Sequence, residues 1–308
     1  MFHGECYEAV VPNLVPGGLL VPDTEPWCEV PPFVSSPLGQ LVVRVRVLRS
    51  GSAGNAILVE AGDIRCLIDA GLPAETILRE LDGAGDGPSL AAILQTHEHD
   101  DHLRGTAAVA RATGAVVLAT EGTLRAAGPQ LAGAPVEIFR ALRPFRVGPV
   151  EVLAVPLPHD AAEPVGFVLQ AGGVRVAVAC DLGEVTDDLL SHVRGADLFI
   201  VEANYDLRLM AVSTYPWFLK NRIVGVRGHL SNDGAARAAV GAATGASQTV
   251  HLVHLSEVNN LAPLARDTVR TALDAAGLDR VSVEAVRPNA GGPWWEARRP
   301  TTSTAATR

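Results

Sequence analysis

Residues 96–102 read THEHDDH, three histidines and two aspartates in seven positions, set between the apolar run AAILQ (91–95) and an alanine-rich stretch. A polar stretch between two regular elements is often only a solvated loop, and a single histidine there would say little. The order H-x-H-x-D-H says more, because His97, His99, Asp101 and His102 are all good ligands for a borderline divalent metal. His97 and His99 are two apart, so in an extended segment their side chains point the same way. Asp101 and His102 fall where the chain turns into a helix expected from near Leu103, so one short segment can serve two neighbouring metals. Asp100 and Asp101 both lie at that helix's N-terminus, where a carboxylate accepts backbone N–H bonds and meets the positive end of the dipole. Asp100 is expected to cap the helix and Asp101 to bind metal.

Four residues are too few for two metals, and the rest of the chain offers more. His159 stands in PLPHDAAEPVGF just before a strand, Asp181 ends VAVACD and His254 ends VHLVH. These candidates repeatedly follow an apolar strand: AAILQ precedes His97, VRVAVAC precedes Asp181 and TVHLV precedes His254. Strand ends on one rim of a sheet scaffold give a rigid backbone that holds side chains around a shared ion.

Working outward, β-branched runs predict strands over 41–48, 56–60, 64–69, 91–95, 150–155, 166–170, 174–180, 197–202 and 249–254. Amphipathic patterns predict helices over 73–82, 103–113, 184–194, 231–244 and 261–276. Strands in groups broken by such helices predict layered sheets with helices outside, in one domain over 41–290. The proline-rich residues 1–40 read as an irregular N-terminal extension, with the natural start expected near Leu41 or Val42. Residues 291–308, ending RRPTTSTAATR, read as a disordered tail.

Composition bounds the function. The chain has 308 residues, 48% of them hydrophobic and 19% charged, as in a folded globular protein. No apolar stretch reaches the roughly 20 residues that span a bilayer, so no membrane partner is expected. A formal net charge of −9 speaks against coating nucleic acid by bulk electrostatics, while leaving room for a local basic track beside a metal site. Cys6, Cys28, Cys66 and Cys180 show no C-x-x-C spacing, which indicates neither a disulfide framework nor a cysteine zinc site and fits a reducing cytoplasm. His3, His192 and His251 read as structural or solvated. YPWFLKNR (215–222) interleaves Tyr215, Trp217 and Phe218 with Lys220 and Arg222; a packed amphipathic helix is the favoured reading, and a stacking surface for a single strand is the alternative.

RSGSAGNAILVEAG (49–62), LIDAGL (67–72), THEHDDHLRG (96–105), HDAAEPVGF (159–167), CDLGEVTDDL (180–189), VEANYD (201–206), YPWFLKNRIVGVRGHLSN (215–232) and HLSEVNN (254–260) together carry a resemblance. Over roughly 44–260 the chain resembles the metallo-β-lactamase fold hydrolases, and more narrowly their YycJ/WalJ branch, regarded as DNA exonucleases. The resemblance implies an α/β fold, an αββα sandwich in a single domain, and two divalent metal ions, zinc or manganese. It places His97, His99 and His159 on one metal, Asp101, His102 and His254 on the other, and Asp181 between them. It implies a phosphodiesterase or nuclease acting on nucleic acid, DNA above all, from 5′ to 3′, with a metal-bridging hydroxide as nucleophile. Asp101, Glu202 and His229 are the implied catalytic residues, the last two as a proton-donating pair. Ser52, Asn55, Ser256 and Asn259 are implied at the substrate rim, and Asp69 is implied to orient the metal loop, although alone it would read as a turn aspartate before Gly71.

Charge counting agrees with a phosphodiester. Two divalent ions bring four positive charges, two aspartates and a hydroxide remove three, and a net charge near +1 faces the substrate. The alternative is hydrolysis of a small ester, thioester or lactone on the same centre. A metal-bound scaffold without turnover fits the full ligand set less well. No serine nucleophile elbow and no cysteine–histidine arrangement competes with the metals.

Overall fold

The computed structural model describes residues 41–83 and 87–298. The expected extension over 1–40, with its His3, Cys6 and Cys28, and the tail from 299 lie outside the described residues. Seven strands form the first sheet: β1 (Val42–Arg49), β2 (Ala56–Ala61), β3 (Ile64–Ile68), β4 (Leu90–Leu94), β5 (Val116–Ala119), β6 (Val136–Ile138) and β14 (Trp295–Arg298), in the order β14-β1-β2-β3-β4-β5-β6. The second sheet holds β7 (Phe145–Val147), β8 (Val150–Pro156), β9 (Val165–Ala171), β10 (Val174–Ala179), β11 (Leu198–Glu202), β12 (Gln248–Val253) and β13 (Val281–Ala285), in the order β13-β12-β11-β10-β9-β8-β7.

The sheets pack face to face on a core of Val45, Val59, Leu94, Phe167, Ile200 and Val253. Helices α1 (Ala74–Gly83) and α3 (Thr106–Thr113) cover the outside of the first sheet through Ile77, Leu81, Val109 and Ala110. Helices α5 (Asp187–Val193), α8 (Asn232–Ala242) and α9 (Ala262–Ala275) cover the second through Leu189, Ala238, Val269 and Leu273. The result is an αββα sandwich. Strands covered on both faces need apolar side chains on both, which is why β2, β3 and β11 are buried along their whole length instead of alternating.

Within the first sheet β3 and β4 run parallel, and in the second β10, β11 and β12 run parallel, so their C-terminal ends share a rim. Asp69, His97, Asp181, Glu202 and His254 lie at or just beyond these ends.

The predicted strands correspond to β1–β4 and β8–β12. The single helix expected over 103–113 is two, α2 (Asp100–Leu103) and α3, separated at Gly105. The break has a steric cause. A Cβ on Gly105 would come within 2.1 Å of the Leu72 carbonyl oxygen, so the chain passes the LIDAGL turn as bare backbone, with Gly105 N–H donating to Ala70 O. The tail expected from 291 is also corrected in its first part. Trp295–Arg298 pair antiparallel with β1, and Trp294 lies 4.2 Å beneath the Arg44 guanidinium, so aromatic stacking holds this end on the sheet. The shorter elements β5, β6, β7, β13, α4 (Glu121–Ala127), α6 (Leu207–Val212) and α7 (Trp217–Val224) were not anticipated as regular structure, apart from the helix reading of 215–222. No described helix is long and apolar enough to cross a membrane.

Candidate metal centre

Three side chains at the shared rim stand on left-handed backbone: Asp69 (φ 59°), Asp181 (φ 61°) and His254 (φ 56°). For residues other than glycine such a conformation costs about 1–3 kcal/mol and persists only where its surroundings hold it. Each follows a strand by one or two residues, so strand, sharp turn and functional side chain come as a unit.

All seven sequence-predicted ligands converge here. One donor atom each from His97, His99, His159 and Asp181 lie within 4.8 Å of one another, and so do donors from Asp101, His102, Asp181 and His254. Asp181 belongs to both groups, and to a third with Glu202, His229 and His254. Its Oδ2 is 3.5 Å from His97 Nε2, 3.7 Å from His159 Nε2 and 3.1 Å from His102 Nε2. Asp101 Oδ2 is 3.7 Å from His102 Nε2 and 3.6 Å from His254 Nε2.

The donor chemistry fits divalent cations. His97 Nε2, His254 Nε2 and Asp181 Oδ1 are buried with no hydrogen-bond partner, a costly state for polar atoms unless they face a cation. Asp181 Oδ1 does lie 2.9 Å from His254 Nδ1, but that nitrogen's hydrogen bond goes to Glu202 Oε1.

Partners on the far side hold several of the candidate ligands. His102 Nδ1 is 2.7 Å from Asp69 Oδ2, which also accepts from Thr96 Oγ1, while Asp69 Oδ1 accepts from Thr96 N and Gln95 Nε2. Burial pushes the Asp69 pKa up, against the opposing pull of His102. His159 Nδ1 lies 2.9 Å from the Gly228 carbonyl, which leaves Nε2 for a metal. Ser50 Oγ accepts from His254 N, and Gln95 Nε2 also donates to the His97 and His102 carbonyls. Sequence reasoning missed Gln95 and Thr96, whose residue types carry no metal signature; only the strand-end placement of QT before His97 hinted at them.

Several expectations are relocated. Asp100 does not cap: it sits in the first turn of α2 behind His99, and its carboxylate pairs with Arg104 at 2.6 Å, one helical turn on. Asn55 is buried, with Nδ2 2.9 Å from His102 Nε2 and Oδ1 accepting from Gly51 N, because the end of the 50–55 turn folds under the 99–102 segment while its tip at Ser52 stays at the mouth. Asn259 is wholly buried too. Ser52 and Ser256 do line the cleft. Cys66 and Cys180 are free and buried, and burial pushes the Cys66 thiol up to about 12. His192 bonds within α5, and His251 is buried in β12, its pKa lowered by that burial to about 4.

Glu202 is fully buried and serves two histidines. Its Oε1 lies 2.7 Å from His229 Nδ1 and 2.9 Å from His254 Nδ1, while Oε2 accepts from Leu182 N and Leu230 N. Burial would raise the Glu202 pKa, but His229 and these hydrogen bonds outweigh it and the carboxyl is held low. Burial would lower His229, but Glu202 and Asp181 prevail and its pKa is raised. The same competition raises His102 and His254 beside Asp181, whereas in His97 burial and neighbouring His102 drive the pKa well down.

A cleft of about 450 Å³ opens over the centre. His99, Asp101, His159, Asp181, His229 and His254 form its floor, and Tyr215, Leu219, Arg222 and Ile223 from the α7 segment form one wall. Arg222 Nε donates to Asp160 Oδ2 at 2.7 Å, and Asp160 Oδ1 lies 3.3 Å from His159 Nε2. Asp160 was missed, although it adjoins His159 in PLPHD.

The family model described as "Beta-lactamase superfamily domain" matches residues 65–254. The chain is 33% identical to exodeoxyribonuclease YycJ of Bacillus anthracis over 238 residues, 75% of this chain and 89% of that one. It is 31% identical to exodeoxyribonuclease WalJ of Streptococcus pneumoniae serotype 2 over 247 residues, 78% of this chain and 92% of that one. In fold it is similar to the metallo-β-lactamase fold protein YhfI of Bacillus subtilis, with a TM-score of 0.64 at 19% identity, covering 83% of this chain and 100% of that one. With the shared sandwich and the histidine–aspartate cluster at its rim, the chain belongs to the beta-lactamase superfamily as a metallo-β-lactamase fold hydrolase of the YycJ/WalJ branch.

Proposed function

We propose that this hydrolase cleaves phosphodiester bonds in nucleic acid, shortening DNA from its 5′ end. The observation that carries the reading is the pair of overlapping ligand groups joined by Asp181, with the Glu202–His229 pair beside them. His97, His99, His159 and Asp181 would hold one divalent ion, and Asp101, His102, His254 and Asp181 a second, zinc or manganese. When bound, such a pair acidifies water and stabilises charge on phosphoryl oxygens. The names of the curated relatives, both exodeoxyribonucleases, support DNA as the substrate.

The chain's own residues supply the rest. Glu202 anchors His229 through Nδ1 and favours its protonated form, so Nε2 is the nitrogen that gives a proton to the leaving oxygen. The same carboxylate orients His254, tying proton donor and ligand to one buried anchor. Ser52 and Ser256 stand at the cleft rim to contact substrate. Buried free thiols at Cys66 and Cys180 fit a cytoplasmic home.

Elemental analysis combined with a plate assay tests this reading. Purified protein should carry close to two transition-metal ions per chain and turn over bis-p-nitrophenyl phosphate faster than thioester or lactone analogues. Absence of metal, with no activity restored by zinc or manganese, defeats the two-metal reading. Preference for the lactone or thioester assigns the centre to small esters instead.

A further inference from the structure

We propose that α7 is a stacking lip, on which Trp217 and Phe218 receive the unpaired bases of a single strand whose backbone enters the cleft over His99 and His159. The proposal rests on the nuclease reading and adds which form of nucleic acid the site takes. Its starting point is a helix out of keeping with the rest of the fold. WFLKNRIV is largely apolar, yet α7 buries none of its residues; Trp217 is 77% exposed and Phe218 70%. A surface helix ordinarily places its apolar side chains against a core. Here Leu219 and Ile223 face the cleft with Arg222, while the two largest rings stand outside it.

Position and charge select the occupant. Phe218 and Arg222 are one turn apart on α7, so ring and guanidinium are neighbours on the helix surface. Arg222 reaches Asp160 beside His159, and Arg227 Nε donates to the His159 carbonyl, so the lip is fastened to the metal-ligand loop. Residues 207–232 contain Arg208, Lys220, Arg222 and Arg227 and no Asp or Glu, in a chain whose net charge is −9. A cationic, aromatic segment on an otherwise acidic molecule complements a polyanion with flat, apolar bases, and stacked aromatic faces beside cations are how single strands are held. Within a duplex the bases are stacked on one another, so away from its ends it offers these rings sugar and phosphate in place of base faces. The cleft volume of about 450 Å³ falls within the roughly 300–1,000 Å³ of small-ligand sites, which suits a strand end better than a paired helix.

Equilibrium binding by the metal-loaded enzyme tests the lip, using fluorescent phosphorothioate strands that resist cleavage: an oligothymidylate, an abasic strand of equal length, and a blunt duplex. The double variant Trp217→Ala/Phe218→Ala should bind the oligothymidylate at least about tenfold more weakly and lose the preference for it over the abasic strand. Duplex binding should change by less than about twofold. Trp217→Phe/Phe218→Tyr, which keeps both faces, should retain the preference. Equal losses on thymidylate and abasic strands, or no loss at all, overturn the lip while leaving the nuclease reading intact if the enzyme still cuts DNA. Loss of a dimer with unchanged DNA binding also overturns it, by assigning the rings to a second copy of the chain. If the unmodified enzyme neither binds nor cuts any nucleic acid, both readings fall.

Discussion

Glu202 Oε1 lies 2.7 Å from His229 Nδ1, inside a site where the carboxylate is wholly buried and the histidine lines the cleft. That arrangement separates the duties of the two ring nitrogens: one is anchored, the other is free to carry a proton. His229→Ala should therefore leave bound metal unchanged and slow cleavage of a natural phosphodiester by roughly 10² to 10⁴, the usual contribution of general acid catalysis. A p-nitrophenolate leaving group needs that proton less, so bis-p-nitrophenyl phosphate should be spared in part. Glu202→Gln should act in the same direction by a smaller amount. Loss of metal in His229→Ala, or equal slowing of both substrates, returns His229 to a ligand or structural role.

Asp69 touches His102 but stands outside all three groups of converging donor atoms. Asp69→Asn removes the carboxylate that holds the ring while keeping the side chain's shape. Metal affinity or activity should fall by about 10- to 100-fold, the usual effect of losing such a partner. Metal titration of the apo-protein measures it, and an unchanged affinity would make Asp69 the simple turn residue that its sequence context also allows.

Gly71 carries no chemistry, yet a Cβ there would come within 1.7 Å of the Asp101 carbonyl oxygen. Backbone on both sides leaves no flexible side chain to give way. Gly71→Ala should push the 99–102 segment off its ligand geometry and lower metal content, even if the chain still folds. Elemental analysis and circular dichroism on the same sample distinguish a displaced loop from an unfolded protein; full metal content in the folded variant would contradict the close packing.

His251 provides a pH test away from the ligands. Its folded pKa of about 4 lies below the ordinary value of 6.5, so the unfolded chain binds a proton that the folded chain refuses. Stability is therefore lost as pH falls from about 6.5 toward 4, at about 1.4 kcal/mol per pH unit for one such group. Between pH 7 and pH 5 the unmodified protein should lose about 2 kcal/mol more than His251→Leu does. Denaturant melts at the two pH values give the difference, and equal losses would show that His251 titrates normally.

Much of this site was legible because metal chemistry demands particular residue types. THEHDDH, His159, Asp181 and His254 announce themselves by composition and by their place after apolar strands, and the long strands show as β-branched runs. What could not be read is what depends on three-dimensional packing. Asn55 looked like a rim residue and is buried, because its turn tucks beneath Asp101. Asp100 looked like a cap, but an Arg one turn later offers its carboxylate a closer partner. The helix at 103–113 broke at Gly105 under pressure from a distant turn, and β14 joined the sheet from a segment that itself read as tail. Gln95 and Thr96 are ordinary residues made important only by what they touch.

Digestion of end-labelled DNA reads the central claim most directly. Single strands and duplexes labelled at the 5′ or the 3′ end would be incubated with the protein in zinc and in manganese, beside a lactone and a thioester as competing substrates. Release of labelled mononucleotide from the 5′ end, with 3′-labelled strands shortening progressively, is the predicted result, and His159→Ala should abolish it together with metal binding. Intact nucleic acid in every lane, alongside turnover of the lactone or thioester, would contradict the account.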